Sequence, residues 1–133
     1  MEHCPTIKIR FIDPNNHRYP TCGDWLYDAE DNILEVRVSR MTDWRSELSV
    51  AVHEAVEAIM CLEKDISETD VTAFDLQFEK DRDAGKHSEA DEPGDDKSAP
   101  YHLPHVAATF VEKEICAQTQ LSWLEHEKNV AES

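Results

Sequence analysis

The chain has only 3 glycines, and none of its 4 cysteines forms a C-x-x-C pair. The first shortage excludes collagen-like, Gly-rich and repeat-array classes, and no glycine-rich phosphate loop or Ser-nucleophile elbow is present. The second argues against a zinc ribbon or a dithiol redox motif. Basic residues are also scarce: 13 Lys and Arg stand against 29 acids, a formal net charge of −16. Such a surface argues against direct binding to nucleic acid or to an anionic membrane. No 18-residue apolar run occurs, which excludes a transmembrane helix. The opening MEHCPTIKIRFIDPNN lacks a basic segment followed by an apolar one, so no secretory signal is read there. A reducing cytoplasm is therefore expected, with Cys61 and Cys116 as small core residues.

What is present fits one domain of 133 residues, 40% hydrophobic and 32% charged. The acidity is uneven. Residues 63–99 hold 13 acids and 5 bases, a net of −8, half of the total. Within them KDRDAGKHSEADEPGDDKSAP has almost no apolar side chains. It cannot bury enough surface to offset chain entropy, so residues 80–100 are expected to form a mobile acidic loop inside the domain.

The first third alternates. Ile7, Ile9 and Phe11 share one strand face, and Leu34, Val36 and Val38 share another. Trp25-Leu26-Tyr27 reads as a short strand, with a hairpin turn at 29–32. A small antiparallel sheet of two or three strands is predicted. A helix follows, capped by Thr42 or Asp43, with Leu48, Val52, Ala55, Ile59 and Leu62 as its core stripe. Residues 66–79 are ambiguous between helix and strand. A last helix is predicted from Pro104 to about Lys128, its stripe being Ala107, Phe110, Ala117, Leu121 and Leu124. The fold class is thus α+β, with two main helices after the sheet. The apolar last helix, with Trp123 and Leu124 near its end, would suit either a homodimer face or the core.

The most informative stretch is Val50-Ala51-Val52-His53-Glu54-Ala55-Val56-Glu57-Ala58-Ile59-Met60. His53 and Glu57 are four apart, so on a helix they point the same way and can share one metal ion. Their flanks are apolar on most sides, which places the His and both Glu in or near a core where lone charges are costly. Two readings follow: a metal or catalytic site, and a hydrogen-bonded structural cluster. The last helix offers partners in His105 and Glu112, seven apart and about 10 Å along the axis. One ion can hardly take both directly, so one is expected to orient a ligand ring. Glu114 and Asp75 are weaker candidates, read as a solvent-reaching side chain and a capping acid. His102 reads as a loop residue, His3, His17, His87 and His126 as exposed, and Cys22 as a packing thiol.

A sheet followed by His53-Glu54-x-x-Glu57, then by a helix with His105 and Glu112, resembles a reduced zincin metallopeptidase core. The chain is also similar to small phage- or prophage-type proteins of unassigned function that carry an H-E helix. The zincin resemblance implies a divalent metal, zinc first and manganese or iron as alternatives. It also implies His53 as a ligand and Glu54 as the base that activates bound water. Glu57 stands where that family has a second His, and His105 or Glu112 supplies the third ligand. The expected function is therefore metal binding, with peptide or other hydrolysis as the reaction. The alternative is a non-enzymatic acidic protein, an inhibitor or nucleic-acid mimic, that engages a basic host-protein surface through residues 63–99.

Overall fold

The computed structural model describes residues 2–133. A three-stranded sheet is followed by four α-helices, an α+β fold. The strands are β1 (Thr6–Ile12), β2 (Gly23–Asp28) and β3 (Ile33–Ser39). β3 lies in the centre, antiparallel to β2 but parallel to β1. The sheet is therefore mixed rather than antiparallel. Residues 13–22 carry the chain past the end of β3 from one edge of the sheet to the other. Ser39 N donates to Cys22 O at 2.9 Å and Arg40 N donates to Ile12 O at 2.7 Å, which ties both arms of that crossing to β3.

The alternation behaves as its period requires. Leu34, Val36 and Val38 are fully buried. Their register partners Ile7, Ile9 and Phe11 on one side, and Tyr27, Trp25 and Gly23 on the other, share that face. Helix α1 (Trp44–Glu63) covers it with Val50, Ala51, Ala58 and Cys61. Asp43 caps α1 by accepting from Arg45 N at 2.9 Å.

The ambiguous stretch is helical. Helix α2 (Glu68–Asp83) starts at Ser67, whose hydroxyl accepts from Asp70 N at 3.1 Å. Residues 80–83, assigned above to the acidic loop, belong to this helix. The remainder is also partly structured: a 3-10 turn at Pro93–Asp95 packs on α3 (His102–Gln118), with Gly94 and Ala99 buried. The single last helix is in fact two. Gln120 adopts φ 59°, and Ser122 caps α4 (Trp123–Ala131) by accepting from Glu125 N at 3.1 Å.

The largest correction concerns which faces turn inward. The expected stripe of α1 is half-buried at best. The buried face instead includes Ser46, Glu47, Ser49, His53 and Glu57 beside Val50, Ala51, Ala58 and Cys61. On α3, Phe110 is 74% exposed and Leu103 70% exposed, while His105, Ala108, Glu112 and Cys116 are buried. Leu124 is 81% exposed, and only Leu121 of that stripe is buried. Helices α1 and α3 pack against each other through these polar stripes. Burying such groups costs free energy unless they pair, so the pairing decides the rotation of both helices. No helix among the described residues is long and apolar enough to cross a membrane.

Candidate metal centre

The centre is assembled from two helices. One turn of α1 brings His53 and Glu57 to the same face, where His53 Nε2 lies 3.1 Å from Glu57 Oε2. Helix α3 brings His105 to the same oxygen, its Nδ1 also 3.1 Å away. The two rings meet edge to face with centroids 4.8 Å apart. Each of the three residues is only 5–6% exposed. Their donor atoms all lie within 4.8 Å of one another.

Glu112 stands behind this group rather than in it. Its Oε1 is 2.7 Å from the distal nitrogen of His53, Nδ1, off the line of a straight hydrogen bond. Its Oε2 is 2.5 Å from His126 Nε2. Of the two α3 candidates for the third ligand, His105 lies in the group and Glu112 outside it. Seven residues from His105, its carboxylate reaches the far edge of the His53 ring, where it can orient the ligand.

His126, taken as exposed from sequence, is 1% exposed and extends the chain of contacts. Asn129 Nδ2 donates to Ser46 Oγ at 3.0 Å, and Ser46 Oγ lies 2.9 Å from His126 Nδ1. A consistent set of donors runs Asn129 to Ser46, Ser46 to His126 Nδ1, and His126 Nε2–H to Glu112. At the opposite end His105 Nε2 faces Asp95 Oδ1 at 3.2 Å and Glu92 Oε2 at 3.3 Å. Carboxylates and imidazoles therefore alternate from the core to the surface. Part of the charge expected to serve a partner protein, Glu92 and Asp95, faces His105 instead. The sequence signal for His126 is Ser122-x-x-Glu125, a capping-box pattern that starts α4 after the break at Gln120.

The electrostatics follow from this alternation. Burial opposes charge on His53, Glu57, His105 and Glu112, but the partners outweigh it at each. Glu112 and Glu57 hold the His53 imidazolium well above its usual range. Glu57 and Glu92 raise His105 to about 10. His105 and His53 hold Glu57 below the usual carboxylate range, and His126 with His53 lowers Glu112 to about 2. Without metal the core of the network is two imidazoliums and two carboxylates. A divalent ion that displaces two protons leaves that balance unchanged.

Glu54 is not brought into the ligand group. It projects toward β2, where a methyl group on Gly23 would lie 2.6 Å from Glu54 Oε1. Burial there, with the Glu57 charge nearby, pushes its carboxyl well above the usual range. Cys22 is close to this carboxylate, and burial raises its thiol, the opposite of what a thiolate nucleophile requires. Glu114 is exposed and accepts from Gln118 Nε2 at 3.0 Å, as a surface residue would. His102 is the first residue of α3, and its Nδ1 lies 2.9 Å from Gly94 O.

Asp75 is neither a ligand nor a cap. It sits inside α2 and accepts from Tyr19 OH at 3.0 Å and from Tyr101 OH. Burial outweighs these bonds and raises its carboxyl to about 6. An acid with a raised folded pKa costs stability once ionised, and that cost fades as pH falls below 6 toward the unfolded value. The difference corresponds to roughly 2–3 kcal/mol above pH 7. Asp75→Asn, which removes the charge and keeps the shape, should raise the melting temperature at pH 8 and leave it nearly unchanged at pH 4. A melting temperature that falls at pH 8 would show that the ionised carboxylate is needed by its two tyrosines.

No protein family, curated protein or solved structure matches this chain. Function has to be argued from the centre itself.

Proposed function

We propose that the protein binds one divalent metal ion through His53 Nε2, Glu57 Oε2 and His105 Nδ1. One observation carries this reading: a single buried carboxylate oxygen stands 3.1 Å from a ring nitrogen on each of two helices. Ligands on a tetrahedral ion at about 2.0–2.2 Å are spaced by roughly 3.3–3.6 Å, close to the two 3.1 Å separations here. Two imidazoles and a carboxylate suit zinc first, with manganese or iron as the harder alternatives. The Glu112 carboxylate behind His53 supports the same reading, because ligand histidines commonly donate their second N–H to such a group.

The reaction class that accompanies such a donor set is hydrolysis of a peptide or other acyl bond. When bound, the ion would supply a Lewis acid and lower the pKa of a coordinated water. Glu54, at the position that the H-E-x-x-E order gives the base, is the chain's candidate proton acceptor, and it would have to turn from Gly23 toward the ion to serve. The zincin resemblance rests on the order of sheet, H-E-x-x-E helix and later ligand helix.

Elemental mass spectrometry on tag-free protein tests the metal reading. Close to one zinc per chain is expected, and His53→Ala/Glu57→Ala should retain almost none. A metal-free wild type after zinc incubation, or equal metal in the variant, contradicts it.

A further inference from the structure

The acidic segment offers more than charge. Its 3-10 turn lies against the outer edge of the His105 ring and touches it in three places. Asp95 Oδ1 and Glu92 Oε2 face Nε2 at 3.2 and 3.3 Å. Between these acids Gly94 presses on the ring so closely that a methyl group there would lie 2.3 Å from Cγ and 2.4 Å from Nδ1. The turn is fastened to α3 by His102, whose Nδ1 lies 2.9 Å from Gly94 O. It is fastened to the chain behind it by Ala99 N, which donates to Asp96 O at 3.0 Å.

A neutral imidazole has one lone pair, and the hydrogen bond at one nitrogen decides which nitrogen carries it. Acceptors at Nε2 keep the proton there and leave the lone pair on Nδ1, the atom that faces Glu57. The arrangement mirrors that of His53, whose Nδ1 faces Glu112 while Nε2 faces Glu57. We infer that the strap at 92–95 is the positioning element of the centre. Glu92 and Asp95 fix the His105 tautomer, and Gly94, by lacking a side chain, fixes the plane of the ring. The inference rests on the metal reading above and deepens it: Glu92 and Asp95 act through His105 and hold no ion themselves.

The test uses the full chain with zinc as the probe. In zinc-loaded wild type, nitrogen-15 correlation spectra should show His105 metallated at Nδ1 and protonated at Nε2. Glu92→Ala/Asp95→Ala should weaken zinc binding by about 10–100-fold, the usual effect of removing such a partner. It should also remove the protected Nε2–H signal. Asp83→Ala/Glu89→Ala takes the same charge from neighbouring exposed positions and should change affinity by less than about threefold, as screened surface charges do. Gly94→Ala should weaken binding with all acids in place. Zinc on Nε2 overturns the inference, as does an affinity loss no larger than in the charge control. The Nε2–H signal is also read in metal-free protein. A wild type that binds no zinc but loses this signal in the Glu92→Ala/Asp95→Ala variant would refute the metal reading and leave the strap's hold on His105 standing. An unchanged signal there would refute the strap as well.

Discussion

Zinc affinity should rise about tenfold to a hundredfold for each pH unit between pH 6 and 8, with about one to two protons released per ion bound. The reason is the state of the ligands without metal. His105 is raised to about 10 and so carries its proton throughout this interval, and His53, raised well above its usual range, supplies the second. Glu57 and Glu112 are held low and are already ionised, so they release nothing. Metal-free stability should move the other way. A raised histidine contributes fully below its unfolded value near 6.5 and loses that contribution as pH climbs toward the folded value, about 10 for His105. Lowered carboxylates contribute above about 4.5 and lose it as pH falls, toward about 2 for Glu112. The metal-free melting temperature should thus decline from about pH 6.5 to 9.5, while the increment added by zinc grows. Calorimetry in buffers of different ionisation heat counts the protons directly. Fewer than about half a proton per ion would mean that the imidazoliums are not the groups displaced.

Replacing Glu57 should have the largest effect on the fold. Among the described residues the carboxylate is the one acceptor shared by His53 Nε2 and His105 Nδ1. Without it two buried imidazole rings face each other with centroids 4.8 Å apart. Breaking a buried ion pair by deleting one member typically costs 3–5 kcal/mol, because the charge left behind is unpaired. Glu57→Ala is expected to lose about that much at pH 6, measured by urea unfolding of metal-free protein. Glu57→Gln keeps the volume and still offers one acceptor, so it separates charge from cavity. It should reproduce most of the loss at pH 6 and little of it at pH 9.5, where an imidazole can shed its proton. Equal losses for Glu57→Gln at both pH values would assign the effect to packing. None of this makes the intact network a net stabiliser, since a well-packed apolar substitute for all its members is often as stable. Four ionisable groups held in a core against that cost are what the proposed metal-binding role requires.

How much of this was legible in the sequence depends on which interactions are local. His53 and Glu57 were readable because helical periodicity alone sets their common face. The strand faces were readable for the same reason, through a period of two. The β2–β3 hairpin follows from its short turn, but β1 pairs with β3 across the twenty residues 13–32, and no local pattern specifies the edge it joins. The apolar stripes of α1 and α3 misled because each was weighed alone. Leu103 and Phe110 face outward since His105 and Glu112 must face their counterparts on α1, a constraint that exists only between helices. The burial of His126 depends on the break at Gln120, which Ser122 and Glu125 mark, because only a separate α4 can fold back to bring it to Glu112. Glu92 and Asp95 could not be found at all. In a segment of that composition nothing local distinguishes the two acids that meet a buried ring from their solvated neighbours.

The most direct test of the centre is anomalous diffraction at the zinc edge from crystals of the zinc-loaded protein. The account predicts one strong peak about 2.0–2.2 Å from His53 Nε2, Glu57 Oε2 and His105 Nδ1, with Glu112 still on His53 Nδ1. A peak on Glu92, Asp95 and His105 Nε2 instead, or none between α1 and α3, would contradict it.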